Sequence, residues 1–215
     1  MILVWALIGG LAGWRTGARS SGAVAGVRRT GETWGEAHVT DSRWLPWASA
    51  VFAAGAWTGL SLRFDHDLTV VVFGLMVLWG IGVSVVDIDT HVVTNSSIVR
   101  AVVWSVPVLW GSAIIDTSGS VEGMLLGSFG VFVVLKVLQV LSRGDLGGGD
   151  VRIGAVFALY AGWTGTVNAF EMLVVGFVLA GAVAVVLLVT RRAGRRSFVP
   201  FGPFLLLGTL AVVLR

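Results

Sequence analysis

The chain has 215 residues, of which 56% are hydrophobic and 13% charged, and its mean hydropathy is +0.90. That is more apolar surface than a soluble core of this size buries, so a soluble globular enzyme is excluded and a bilayer is implied. Fifteen basic against 12 acidic residues leave only +3, too little to argue for a nucleic-acid partner. The lack of cysteine excludes disulfides, thiolate zinc sites and a cysteine nucleophile.

A helix needs about 20 apolar residues to cross a hydrocarbon core. Runs near that length recur at 1–14, 46–62, 68–86, 98–115, 120–141, 151–166, 169–190 and 198–214. The pattern predicts an all-α fold, a polytopic membrane helix bundle of about eight transmembrane helices forming one integral unit. Residues 1–67 supply the N-terminal helices with a basic loop, and 68–215 the larger bundle. The first run has no basic region ahead of it, and Arg15 and Arg19 follow it, so it reads as a membrane helix and not a signal peptide. The stretch from Arg15 to Arg43 is rich in glycine, serine and arginine and reads as a flexible or weakly membrane-associated loop. Ten tryptophans suit interfacial belts.

Alternating eight spans sorts the basic residues. Arg15, Arg19, Arg28, Arg29 and Arg43, then Arg143 and Arg152, then Arg191, Arg192, Arg195 and Arg196 all fall on one side. The other side keeps Arg63 and Arg215, with Asp65, Asp67, Asp116 and Glu122. Lys and Arg are retained in cytoplasmic loops, so the first side is cytoplasmic and both termini are outside.

That topology puts two aspartates on the cytoplasmic face. Asp87 opens Asp87-Ile88-Asp89-Thr90-His91-Val92-Val93-Thr94-Asn95 at the end of the third run; Asp150 closes Gly147-Gly148-Gly149-Asp150 at the start of the sixth. Carboxylates are costly to desolvate at a membrane boundary, so two of them on separate helices form a functional-site hypothesis. A close pair shares a proton, one member serving as base toward a water and the other as acid toward the oxyanion and leaving amine. Glycines at 147, 148 and 149 permit backbone conformations closed to other residues and a close approach of substrate main chain.

Each feature alone has a plainer reading. A glycine-rich loop ending in aspartate suits a helix N-terminus, Asp87 with Asp89 suits a solvated helix end, and Asp145 suits a loop charge. Lys136, the one lysine, reads as snorkelling to the interface, and Glu171 as reaching headgroup level. Gly162 and Gly165, or Gly176 and Gly181, read as close helix contacts. His91 reads as a loop residue. His38 and His66 fall on opposite sides, so no metal is expected, nor any other cofactor. A transporter would place acids near the midplane and show inverted repeats, and neither is visible. A catalytically silent assembly scaffold is the other alternative.

Three stretches together resemble the type IV prepilin peptidases, whose aspartic site is split between two membrane helices. The segment Asp87 to Asn95 is similar to the family's first motif, with Thr94 where the family has proline. Gly147-Gly148-Gly149-Asp150-Val151-Arg152 resembles its Gly-x-Gly-Asp-Val-Lys, with arginine for lysine. Pro200-Phe201-Gly202-Pro203-Phe204 is similar to a motif near the start of the last helix.

The resemblance covers about residues 68–214. It implies that Asp87 and Asp150 are the catalytic pair of a membrane aspartic endopeptidase in a bacterial or archaeal plasma membrane, with a prepilin or pseudopilin as substrate. Gly147, Gly149, Asp89 and Asn95 are expected to bind substrate or support the loops. Asp89 is expected to act on the site by like-charge repulsion, and Asp89 and Asp145 to complement a basic leader. Longer bacterial members carry paired cysteines, linked with N-methylation, after the first helix. Their lack here argues against methyl transfer and matches the shorter peptidases of tight-adherence pilus and archaeal flagellin systems.

Overall fold

The structure is a computed structural model that describes residues 1–29, 39–115, 119–143, 146–191 and 199–215. Eight helices make up the described chain: α1 (Ile2–Arg28), α2 (Leu45–Arg63), α3 (Asp67–Thr90), α4 (Asn95–Ile115), α5 (Val121–Leu141), α6 (Gly148–Trp163), α7 (Thr166–Val189) and α8 (Gly202–Val213). A 3-10 turn at Val39–Asp41 precedes α2. The fold is the expected all-α polytopic bundle. Four helices, α3, α4, α5 and α7, are long and apolar enough to cross a membrane, and α8 is a shorter apolar helix. The expectations at His38, Asp116, Asp145, Arg192, Arg195 and Arg196 fall outside the described residues.

The first helix departs most from its sequence reading. It runs 27 residues to Arg28, so Arg15 and Arg19 lie on the helix and not in the loop expected from Arg15 to Arg43. No proline interrupts residues 2–28, and tertiary contact supports the extra turns. Gly9, Gly13 and Gly17, four apart, form a stripe against α2: a Cβ at Gly9 would lie 2.4 Å from the Trp57 ring, and one at Gly13 would lie 2.5 Å from the Ser49 carbonyl oxygen. Small residues at that spacing let backbones approach where lipid supplies no hydrophobic drive between helices. Further along, Ser20, Val24 and Val27 are buried, and α1 touches α3.

The centre of the bundle is α3, bordered by α1, α2, α4 and α8, while α6 is bordered by α4, α5, α7 and α8. Side chains join α3 to α6 in the half away from Asp87 and Asp150. Phe73 meets Tyr160 and Trp163 edge-on at 5.4 and 5.5 Å, and Trp79 lies 5.3 Å from Phe157. Aromatic rings favour such tilted and edge contacts because of their quadrupoles. The polar handles in this core are satisfied internally. The Tyr160 hydroxyl shares a 2.6 Å hydrogen bond with Ser105 Oγ, Trp163 Nε1 donates to the Leu109 carbonyl, and Trp57 Nε1 to that of Val70. Trp57 and Trp163, 4% and 1% exposed, are therefore core residues and not belt residues as the sequence suggested; Trp44 and Trp47 are exposed.

The glycines expected to pack helices divide. Gly162 packs backbone to backbone on Gly123, where a Cβ would lie 2.4 Å from the Gly123 oxygen, and a Cβ at Gly176 would sit 3.3 Å from the Phe204 oxygen. Gly165, at φ 150°, is the turn between α6 and α7. Gly181 has nothing within 4 Å, because it lies on the exposed face of α7. Lys136 donates from Nζ to Gln139 Oε1 at 2.8 Å, and Glu171 pairs with Arg215.

Replacing Gly162 by alanine drives a methyl group into a main-chain oxygen that has no room to move. It is expected to destabilise the bundle by about 1–3 kcal/mol, whereas Gly181→Ala causes no loss. Thermal unfolding of the two purified variants in detergent measures the contrast.

Candidate active site

One end of the bundle gathers the end of α3, the starts of α4, α6 and α8, and the Val39–Asp41 turn. The apolar run of α3 ends one turn after Asp87. Thr90 folds its hydroxyl onto the Val86 carbonyl at 2.7 Å, and His91, in the left-handed region at φ 53°, stops the helix with its N–H on the Asp87 carbonyl. The Asp87 side chain is only 5% exposed. A buried carboxylate requires donors, and Oδ2 accepts the Gly202 N–H at 2.9 Å.

That N–H is the first of α8, so the positive end of a helix faces the carboxyl group. Glycine is needed for the approach, because a Cβ at 202 would come within 3.0 Å of Oδ2. Pro203 follows in the first turn, where a missing N–H costs nothing. The Pro200–Phe204 motif thus acquires a role that the sequence showed only as a likeness.

Asp150 is the third residue of α6, after Gly147 at the N-cap. Its carboxyl group turns back to the Gly147 backbone, as the third residue of a capping box does. The plain helix-start reading of this aspartate is therefore correct as local structure. It is compatible with a second role, because Asp150 is half-buried and near enough to Asp87 to feel its charge. The glycine loop lies directly on the segment after Asp87, since a Cβ at Gly149 would sit 3.6 Å from Val93 Cβ.

The supporting residues separate into distinct tasks. Asp89 is fully buried, and its oxygens accept from the Val39 N–H (2.8 Å), the Thr40 N–H (3.1 Å) and the Thr40 hydroxyl (2.7 Å). It ties the segment after α1 to α3, which gives it a loop-supporting geometry and not that of a surface acid facing a basic leader. Asn95 opens α4 on the surface and accepts from Arg152 Nη1. Gly147 borders Asp150 Oδ2.

Two residues that the sequence reading did not assign to the site also lie here. Gln139 donates from Nε2 to the Leu146 carbonyl at 3.1 Å, steadying the glycine loop from α5; its one signal was a polar side chain in an apolar run. His91 is close enough to act on the charge of Asp87, and both its ring nitrogens are buried without a hydrogen-bond partner among the described residues. No group of three or more His, Asp or Glu side chains suited to a metal gathers among the described residues.

Replacing Asp89 by alanine would leave three donors without an acceptor. It is expected to cost about 1–3 kcal/mol, with Asp89→Asn intermediate, as read from thermal unfolding in detergent.

No protein-family model matches the chain, and no solved structure matches it. A curated relative, the prepilin leader peptidase/N-methyltransferase of Bacillus subtilis (strain 168), is 30% identical over 162 residues, 75% of this chain and 60% of the relative. The chain thus spans less than two thirds of the length of the relative it matches. Over three quarters of its own residues, it is similar to a prepilin leader peptidase.

Proposed function

We propose that the chain is a membrane-embedded aspartic endopeptidase of the prepilin peptidase family, which removes the leader from prepilin or pseudopilin precursors with Asp87 and Asp150 as its acid–base pair. The observation that carries this reading is that two carboxyl groups 63 positions apart in sequence, on two different helices, lie at one end of the bundle within electrostatic reach of each other. The likeness to a named prepilin leader peptidase supports the same family.

In the proposed reaction, one carboxylate takes a proton from a water whose oxygen attacks the scissile carbonyl. The protonated partner supports the developing oxyanion, then gives its proton to the leaving amine as the C–N bond breaks. Neither a metal nor a covalent intermediate is needed. Without side chains, Gly147 and Gly202 come close to the two carboxyl groups, where an added Cβ would lie 3.0 Å from Asp150 Oδ2 and from Asp87 Oδ2 respectively.

A groove of about 360 Å³ runs between α1, α3 and α4, with Val27, Val83, Val86, Val93 and Arg100 among its walls, and it includes the residue before Asp87. Its apolar walls suit the hydrophobic segment that follows a leader. The arginines at 28, 29, 43, 143 and 152 belong to the loops and helix ends on the side of the pair, so we assign that end to the cytoplasmic face and both termini to the outside. Methyl transfer is no part of this proposal, because these 215 residues lack the cysteine pair linked with it.

The test is coexpression with a candidate prepilin, with leader removal followed by mass spectrometry. Asp87→Asn and Asp150→Asn are each expected to lower cleavage by about 10²–10⁴-fold with membrane insertion unchanged. Cleavage persisting in either variant would sink the aspartic mechanism, and no cleavage by the intact chain across plausible precursors would favour the scaffold.

A further inference from the structure

We infer that Asn95 and Arg152 form a clasp that sets the approach of the two aspartates, which makes Arg152 a positioning residue of the pair. The inference rests on the function proposed above for its kinetic arm alone.

Side chains hold α3 to α6 at a distance from the acids. Their direct aromatic contacts involve Phe73 and Trp79 on α3 and Phe157, Tyr160 and Trp163 on α6. The nearest of these lies eight residues before Asp87 and seven after Asp150, about two helical turns from either carboxyl group. At the site itself two acidic groups lie within electrostatic reach, and any charge they both carry pushes the helix ends apart. Packing of Val93 against Gly149 closes part of the gap. The polar tie across it is the hydrogen bond from Arg152 Nη1 to Asn95 Oδ1.

Both partners are near the acids along the chain. Arg152 stands two residues after Asp150, at the fifth position of α6, and Asn95 opens α4 at the end of the segment that begins at Asp87. The Arg152 side chain also lies along a groove with Ile98 and Val102 of α4 and Ser128 and Phe132 of α5. Its stem is thereby directed toward α4 while its planar head reaches an amide oxygen, a task for which a guanidinium fork is better pre-organised than an ammonium. The segment it restrains, His91 to Thr94, contains no proline to stiffen it.

Because the chain contains no cysteine, the approach of the acids can be read directly. The Asp87→Cys/Asp150→Cys variant, in native membranes, is treated with a short bis-thiosulfonate and cross-linking is followed over time. With the clasp intact, linkage is expected to be rapid. Adding Arg152→Ala or Asn95→Ala is expected to slow it about tenfold, and Asn95→Asp, which keeps an acceptor for Arg152, is expected to retain it.

In the otherwise intact chain, with the same prepilin, Arg152→Ala should lower kcat about 10–100-fold with KM within about twofold, as a small misplacement of reacting groups does. Asn95→Ala should do the same, and the double variant should lose no more than either alone. The Asn95→Asp/Arg152→Lys variant should recover most of the rate. Unchanged cross-linking in the alanine variants, absence of linkage with the clasp intact, or additive kinetic losses would each overturn the clasp. If the intact chain cleaves no precursor, the proposed function fails while the cross-linking arm still judges the clasp.

Discussion

A carboxyl group buried at the end of an apolar helix needs donors, and the rest of the site is arranged around the one that Gly202 gives to Asp87. That donor is the first N–H of α8, so the last helix must return to the end of the third and stop against it. Gly202 permits the approach, and Pro203 starts the helix in the orientation that points N–H groups at the acid. Once α8 is placed there, it lies between α3 and α6 and touches both. The helix carrying the second acid is then brought to the same end.

Around this contact the molecule uses two kinds of adhesion. Away from the acids, α3 and α6 are joined by interlocking rings whose polar atoms are satisfied internally. Near the acids the ties are polar and specific: Asp89 to Val39 and Thr40, Gln139 to Leu146, Asn95 to Arg152. The division follows from the task. If the site admits a peptide and water as proposed, it cannot be packed shut with aromatic side chains, and hydrogen bonds hold its walls from segments that leave space between them.

Similarity to a prepilin leader peptidase and the geometry of the aspartate pair are independent supports for one function. The first comes from residue identity along the chain. The second comes from contacts between positions far apart in it. Asp89 shows why both are needed. Two residues from Asp87, it looks like a partner in the same chemistry, yet its oxygens are occupied by the segment after α1.

The sequence by itself determined the class of fold, because hydropathy and length are local sums that no tertiary contact reverses. It also marked Asp87 and Asp150, since acids at the edges of apolar runs stand out without any structure. Only the tertiary structure decided the length of α1, whose later turns depend on burial against α3, and the burial of Trp57 and Trp163, whose ring nitrogens find carbonyls on other helices. Periodicity likewise could not separate Gly162, which meets a facing backbone, from Gly181, which meets nothing. The roles of Gly202, Gln139 and Arg152 were hidden for the same reason. Each is defined by a partner remote in sequence or across a loop, and a side chain's own identity does not say what it will touch.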